Sequence, residues 1–91
     1  MSKVILQGHI IVPDADLIAV QRELAEHIKL TKEEEGCLVF EVSQDDRNKN
    51  KFTVYEEFSS KGAFSVHQDR VAQSKWGMVS ADVERHYTVE L

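Results

Sequence analysis

The spacing of apolar residues switches repeatedly between the strand period and the helix period along this chain of 91 residues. The segment from Val4 to Val12 is rich in β-branched residues and stops at Pro13-Asp14, which is typical of a strand that leaves into a turn. Helical spacing follows, in a stripe made up of Leu17, Val20, Leu24 and Ile28. We therefore predict a first strand and then a helix of about four turns, capped by Asp14 and ending near Lys32.

The middle of the chain has the pattern of a β-hairpin. Gly36 is expected to end the turn after the helix, and Cys37 to Ser43 alternates, with Leu38, Phe40 and Val42 on one face. Gln44 to Lys51 has no apolar residue and is rich in turn formers, which predicts a solvated loop. The alternating segment from Phe52 to Phe58 is then the third strand.

The C-terminal third repeats the helix-strand order. Ser59 or Ser60 is placed to cap a second helix, whose inward stripe is Ala63, Phe64, His67 and Val71. A short helical turn is expected within Gln73 to Ser80, and Val83 to Leu91 closes the chain as strand four. The order βαββαβ predicts a ferredoxin-like α+β sandwich, with a four-stranded antiparallel sheet and both helices on one face.

The length and the distribution of apolar residues predict one domain over residues 1–91 and a twofold dimer. The first three strands carry apolar residues of both parities, for example Ile5 and Ile11 against Leu6 and Ile10. The helices can cover only one sheet face, so the other would expose an apolar patch unless a second copy covers it. We expect a homodimer joined through the sheets.

Charge and composition exclude several classes of partner. Eleven basic and sixteen acidic residues give a net charge of -5, which repels nucleic acid and anionic membranes. No apolar run approaches the roughly 20 residues of a membrane helix, and Met1 to Val4 lacks the apolar core of a signal peptide. With Cys37 as its only cysteine, the chain is expected to be cytoplasmic.

The junction of the third strand and the second helix is the candidate reaction site. The strand ends with Tyr55, Glu56 and Phe58, and the helix contributes Ala63, Phe64 and His67. Such a junction can direct an acid, aromatic rings and an imidazole to one cavity. Histidine has the proton affinity of a general base near neutral pH. The alternatives are that His67 is a half-buried structural residue and that Glu56 forms an ion pair with Arg85 or a lysine.

The segments E-E-E-G-C-L-V-F-E-V at Glu33 to Val42 and Y-E-E-F-S-S-K-G-A-F-S-V-H-Q at Tyr55 to Gln68 resemble the antibiotic biosynthesis monooxygenase superfamily of small dimeric α/β-barrel proteins. That family includes quinol and anthrone monooxygenases that use no metal or flavin, haem-degrading oxygenases and a sugar isomerase. The family's histidine and glutamate match His67 and Glu56. Phe58 stands where relatives often have Trp. The haem-degrading branch has an Asn on strand one, where this chain has only Gln7 and His9 as polar candidates, so haem degradation is disfavoured.

The resemblance implies a cofactor-independent monooxygenase that uses dioxygen and a small reduced aromatic, such as a hydroquinone or an anthrone. We predict His67 as the base and Glu56 as the group that orients it. The expected pocket walls are Phe58, Phe64 and Trp76, with His27 facing the same cavity. The alternatives are an isomerase of a small carbonyl compound and a non-catalytic dimer that binds a small ligand.

Other candidates have simpler interpretations. His27 and Trp76 can be packing residues, and Met78 lies beside Trp76 where a lid could form. His9 and His86 are expected to be neighbours on paired strands. Two imidazoles without a third ligand make a weak metal site, so no metal is predicted.

Overall fold

The computed structural model describes residues 3–91, so Met1 and Ser2, which begin the N-terminal segment considered above, lie outside the described residues. The elements, in chain order, are β1 (Val4–Ile11), α1 (Leu17–Lys32), β2 (Cys37–Gln44), β3 (Lys51–Phe58), α2 (Lys61–Ala72), α3 (Lys75–Val79) and β4 (Glu84–Glu90), with a 3-10 turn at Asp14–Asp16. The predicted order is confirmed, and α3 is the predicted short helical turn.

The four strands form one antiparallel sheet in the order β2-β3-β1-β4. The central pair aligns Val4 with Phe58 and Gly8 with Val54, and β4 pairs with the other edge of β1, where Gly8 lies opposite Tyr87. This arrangement is the ferredoxin-like α+β fold predicted from the sequence. The two longer helices cover one face of the sheet, here called the inner face.

The core lies between the inner face and the helices. Its buried members are Leu6, Ile10, Val12, Val20, Phe52, Val54, Trp76 and Val83. Even-numbered residues of β1 and β3 point inward, since alternate side chains of a strand lie on the same face. Each fully buried aliphatic or aromatic side chain stabilises the fold by about 1.5–3 kcal/mol. Glu56 shares this parity and is therefore buried among the apolar residues.

Helix α2 begins where the sequence predicts. The Ser60 hydroxyl accepts a hydrogen bond of 3.1 Å from the Ala63 amide and so caps the first turn. Just before it, the Ser59 amide donates to the Gly36 carbonyl at 2.8 Å. The turn that follows α1 is therefore attached to the start of α2, which matters for the site described below.

Two local predictions were wrong. Leu38 is 54 % exposed rather than inward-facing, because a register shift between Cys37 and Val39 interrupts the alternation of β2. Asp14 does not cap α1 with its side chain. Its carboxylate instead accepts a hydrogen bond of 2.8 Å from the Asn50 amide group, which also donates to the Val12 carbonyl at 2.7 Å.

The outer face of the sheet carries both polar and apolar side chains. His9 and His86 are paired in register and stacked, with ring centroids 4.7 Å apart, as predicted. Tyr55, placed by the sequence beside the site, lies on this face by strand parity, and its hydroxyl donates to Glu57. Among the helices of residues 3–91, none has the length and apolar character needed to cross a membrane.

Candidate active site

His67 lies on α2 and is almost completely buried, with 3 % of its surface exposed. The cap at Ser60 sets the start of the helix, and from there the helical spacing places His67 on the face that packs against the sheet. Aromatic rings surround it: Phe58 of β3 has its ring centroid 4.8 Å away and Phe40 of β2 is at 5.8 Å. The imidazole is therefore held rigidly in a nearly dry environment.

One ring nitrogen of His67 is bound by Glu34, a residue of the turn between α1 and β2. Its Nδ1 lies 3.0 Å from Oε2 and 3.2 Å from Oε1 of that carboxylate. Arg70, one helical turn beyond His67, donates from Nε to Glu34 at 2.5 Å and from Nη2 to the Thr31 hydroxyl at 2.8 Å. A carboxylate can only accept, so we assign the proton of the neutral imidazole to Nδ1. Nε2 then carries a free lone pair.

The second ring nitrogen faces Glu56 of β3. The distance from Nε2 of His67 to Oε1 of Glu56 is 3.7 Å, which is longer than a direct hydrogen bond. Burial, and secondly the negative charge of Glu34, raise the pKa of Glu56 to about 7. Near neutral pH this carboxyl group is therefore able to take up or release a proton.

The alternative ion pair for Glu56 is not seen among residues 3–91. Arg85 donates instead to the Ser80 carbonyl at 3.1 Å and to the Ser80 hydroxyl at 3.3 Å. Burial is the largest influence on His67 and lowers its pKa, although the bond to Glu34 acts in the opposite direction. The favoured state at neutral pH is a neutral imidazole beside a carboxyl group that exchanges its proton.

His27 of α1 lies in the same region. It is 6 % exposed, and its ring stacks on Trp76, with centroids 4.4 Å apart and planes 3° from parallel. Phe40 meets it edge-on at 5.2 Å, and the His67 ring is 6.3 Å away. Burial is the main reason that the pKa of His27 falls to about 3, with the charges of His67 and Arg70 adding to it.

A cavity of about 70 Å³ lies between the inner face and the helices. Its lining includes His67, Glu56, His27, Trp76, Phe40 and Tyr87. The expectation that the imidazole of α2 and the acid of β3 open onto one hollow is thus met in the geometry. The volume is below the about 150 Å³ of a cavity that holds benzene, so a ring can enter only if the mouth widens.

The other predicted wall residues lie elsewhere. Phe58 and Phe64 pack against each other at 5.5 Å and are not among the residues that line the cavity. Phe58 packs against the His67 ring at 4.8 Å, and Phe64 packs against Phe58. Met78 is 76 % exposed and does not form a lid. The polar residues of β1 considered for haem, Gln7 and His9, lie on the outer face by strand parity.

Sequence reasoning missed Glu34 and Phe40. The three consecutive glutamates at the end of α1 were interpreted only as a helix end opposed by its dipole. The available signal was the pair His67 and Arg70, which are three positions apart on α2 and so share a face on which a carboxylate could bind both. Phe40 was placed on the correct strand face but not in the site.

A ferredoxin-like sheet that buries one histidine between two carboxylates defines a small α+β domain with a candidate acid–base site. The chain belongs to the antibiotic biosynthesis monooxygenase family, whose family model matches residues 4–77. The match contains Glu34, Glu56, His67 and Trp76. A search of curated proteins finds no match.

Solved structures share the fold. One from Bacteroides thetaiotaomicron, provisionally named an antibiotic biosynthesis monooxygenase, has a TM-score of 0.81 at 19 % identity and covers 97 % of this chain and 85 % of its own. A protein of the same provisional name from Deinococcus radiodurans has a TM-score of 0.74 at 21 % identity, covering 97 % and 90 %. At such identities the likeness shows the fold alone.

Proposed function

We propose that this protein is a cofactor-independent monooxygenase of a small reduced aromatic, of the hydroquinone or anthrone kind, with His67 as its base. The observation that carries the proposal is the line Glu34–His67–Glu56 at the edge of an aromatic-lined cavity, in a member of the antibiotic biosynthesis monooxygenase family. Dioxygen is the co-substrate, and the substrate itself supplies the electrons.

The proposed reaction requires a general base and a cavity from which bulk water is excluded. Direct reaction of a singlet molecule with triplet dioxygen is spin-forbidden, and removing a proton makes the aromatic electron-rich enough to give up one electron. The resulting organic radical and superoxide combine to form a C–O bond, and the hydroperoxide loses water to leave a carbonyl group. For a hydroquinone the balance is hydroquinone plus dioxygen to hydroxyquinone plus water. Excluding bulk water strengthens the electrostatic interactions that favour the anion.

The geometry supports a different division of roles between the two carboxylates from the one predicted from the sequence. Glu34 binds Nδ1 and, supported by Arg70, fixes the tautomer of His67, so we assign the orienting role to Glu34. Glu56 lies beyond Nε2 and inside the cavity lining. In this scheme Nε2 accepts the substrate proton, and Glu56 returns a proton to the hydroperoxide oxygen that leaves as water.

An isomerase of a small carbonyl compound is the second candidate. It is favoured by the same acid–base pair, because an imidazole and a carboxyl group with a pKa of about 7 can move a proton between two carbons without oxygen. Consumption of dioxygen distinguishes the two reactions. A protein that binds a quinol tightly without oxygen uptake or turnover would instead be a ligand-binding dimer.

The test is oxygen uptake by the purified protein over a panel of hydroquinones, anthrones and enediols, with incorporation of labelled dioxygen followed by mass spectrometry. His67→Ala should lower the turnover number at least about a hundredfold. Ser65→Ala, an exposed change on the same helix, is the matched control and should leave it unchanged. Full turnover by His67→Ala would remove His67 from the mechanism.

We also propose that the whole chain acts as one domain, in a cytoplasmic homodimer joined through the outer sheet face. Half-buried Ile5, Ile11 and Val39 on that face support the dimer, although polar side chains lie between them. Strand β4 forms one edge of the sheet and is exposed along its length. Light scattering after gel filtration should give twice the monomer mass, and a monomer mass would contradict the dimer.

A further inference from the structure

We propose that His27 is a second catalytic residue: an uncharged hydrogen-bond donor to the substrate oxygen on which negative charge develops as His67 removes the proton. The proposal rests on the function proposed above and narrows its substrate to a single-ring hydroquinone. It assigns a role to a buried imidazole that takes no part in the proton transfers of Glu34, His67 and Glu56 proposed above.

The position of His27 suits such a donor. It lines the cavity together with His67, and the two ring centroids are 6.3 Å apart, so one small molecule can touch both. Trp76 stacks on one face of the ring at 4.4 Å, and Phe40 packs edge-on at 5.2 Å. A ring held in this way keeps its orientation without a polar partner from the protein, as a preorganised donor must.

One ring nitrogen of His27 lacks a hydrogen-bond partner among residues 3–91. Its Nδ1 is buried and has no partner in the part of the chain that the structure describes. A proton on that nitrogen would be a buried donor without an acceptor, which is costly, so we assign the proton to Nε2. We infer that this Nε2–H faces the cavity that His27 lines, where a ligand oxygen would supply the acceptor.

The charge state of His27 agrees with this role. Burial, then the charge that His67 carries when it is protonated and the charge of Arg70, keep the imidazole neutral down to about pH 3. A neutral imidazole can still donate one hydrogen bond, and it does not transfer its proton to a weakly basic phenolate. His27 therefore remains a donor over the whole range in which His67 is neutral and able to accept.

The two histidines are complementary. Glu34 binds Nδ1–H of His67 and leaves its Nε2 as an acceptor, whereas the unpartnered Nδ1 of His27 leaves its Nε2 as a donor. One imidazole takes the proton and the other stabilises the resulting anion. Base and donor are the two groups that deprotonation of a phenolic hydroxyl needs in a site without bulk water.

Cavity size limits the substrate. The space is about 70 Å³, whereas benzene occupies a cavity of about 150 Å³ and larger ligands need about 300 Å³ or more. Tyr87, on the exposed edge strand β4, lines the cavity, and an outward movement of its side chain would widen the mouth. A modest movement admits one ring, while a tricyclic anthrone would require the core to open.

The first test is binding of 4-nitrophenol, a single-ring phenol whose absorbance reports its ionisation. His27→Phe keeps an aromatic ring against Trp76 without a donor, and His27→Gln keeps an N–H donor. We expect the phenolate to bind about tenfold more weakly to His27→Phe than to the wild type, with part of the loss recovered in His27→Gln. Equal binding by folded His27→Phe and wild type would overturn the proposal.

Two further measurements complete the test. With a single-ring hydroquinone, His27→Phe should lower kcat about 10²- to 10³-fold with little change in KM, and an unchanged kcat would overturn the proposal. In the wild type, nitrogen NMR should show the His27 proton on Nε2 and a shift of that signal when 4-nitrophenol is added. Absence of that shift would overturn it even if no variant folds. If the wild type binds 4-nitrophenol through His27 but consumes no oxygen, the donor role stands and the oxygenase function fails.

Discussion

Nδ1 of His67 lies 3.0 Å from Oε2 of Glu34, and this contact fixes which nitrogen of the imidazole is free to act as a base. Arg70 donates to the same carboxylate oxygen, so the Glu34 carboxylate is held in place by two partners. In the proposed mechanism the base is thus prepared by a residue of the turn after α1 that takes no part in the sheet.

Glu34→Gln should reduce kcat about a hundredfold or more, because an amide can donate to Nδ1 and so move the imidazole proton to Nε2. The measurement is oxygen uptake with the best hydroquinone of the panel, accompanied by thermal unfolding. Glu33→Gln and Glu35→Gln, which change exposed neighbours in the same turn, are the controls and should retain wild-type turnover. A folded Glu34→Gln variant with wild-type kcat would show that the tautomer does not matter.

Glu56 should make stability fall as the pH rises from about 4.5 to about 7. Burial raises its pKa from 4.5 to about 7, so the folded chain binds this proton more tightly than the unfolded chain does. The contribution is complete below pH 4.5 and is lost as the pH rises through 7, for a total of about 3 kcal/mol. In Glu56→Gln this loss should disappear.

Urea unfolding of the wild type and Glu56→Gln at about pH 5, 7 and 9 measures the difference. Glu57→Gln is the control, because Glu57 lies on the outer face and its pKa is lowered by Tyr55 and Lys3. If Glu56→Gln and the wild type lose equal free energy of unfolding between about pH 5 and 7, the carboxyl group ionises normally.

His27 should also make stability depend on pH, but in the acidic range, where stability falls as the pH falls. Its pKa is about 3 in the folded chain against 6.5 for an exposed imidazole. As the pH falls through 6.5 the unfolded chain takes up a proton that the folded chain refuses, which removes about 5 kcal/mol of stability by pH 3. His27→Gln should therefore lose less stability than the wild type between these values. His86→Gln on the outer face should follow the wild type, and an equal acid loss in all three proteins would contradict the assignment.

Gly36 is required where the turn after α1 meets α2. A Cβ atom at this position would lie 2.2 Å from the Ala63 Cβ and 3.1 Å from the Ser59 hydroxyl. Gly36→Ala should destabilise the fold by about 1–3 kcal/mol and displace Glu34, two residues away. Gly62→Ala is the matched control, since a Cβ there meets only the Ser60 hydroxyl at 3.8 Å, and it should be neutral or slightly stabilising. Thermal unfolding and oxygen uptake report the two effects, and equal stability of both variants would refute the close contact.

The sequence predicts the sheet, the helices and the inward position of His67 and Glu56, because each depends on a local period and on a capping residue such as Ser60. It does not predict Glu34, whose role arises from a contact between a turn and a helix that are distant along the chain. It also misplaces Leu38, since a register shift has no signature in the alternation itself. The depth of His27 and the size of the cavity depend on packing, which the spacing of residues does not determine.

The hydrogen bond between Glu34 and His67 joins residues 33 positions apart. Closing a loop of that length costs entropy that only extensive packing can offset, so the pair cannot persist in a partly collapsed chain. The imidazole is therefore held in place only when turn, strand and helix have all docked. On the function proposed above, a chain that has not completed this docking would leave dioxygen and quinols untouched.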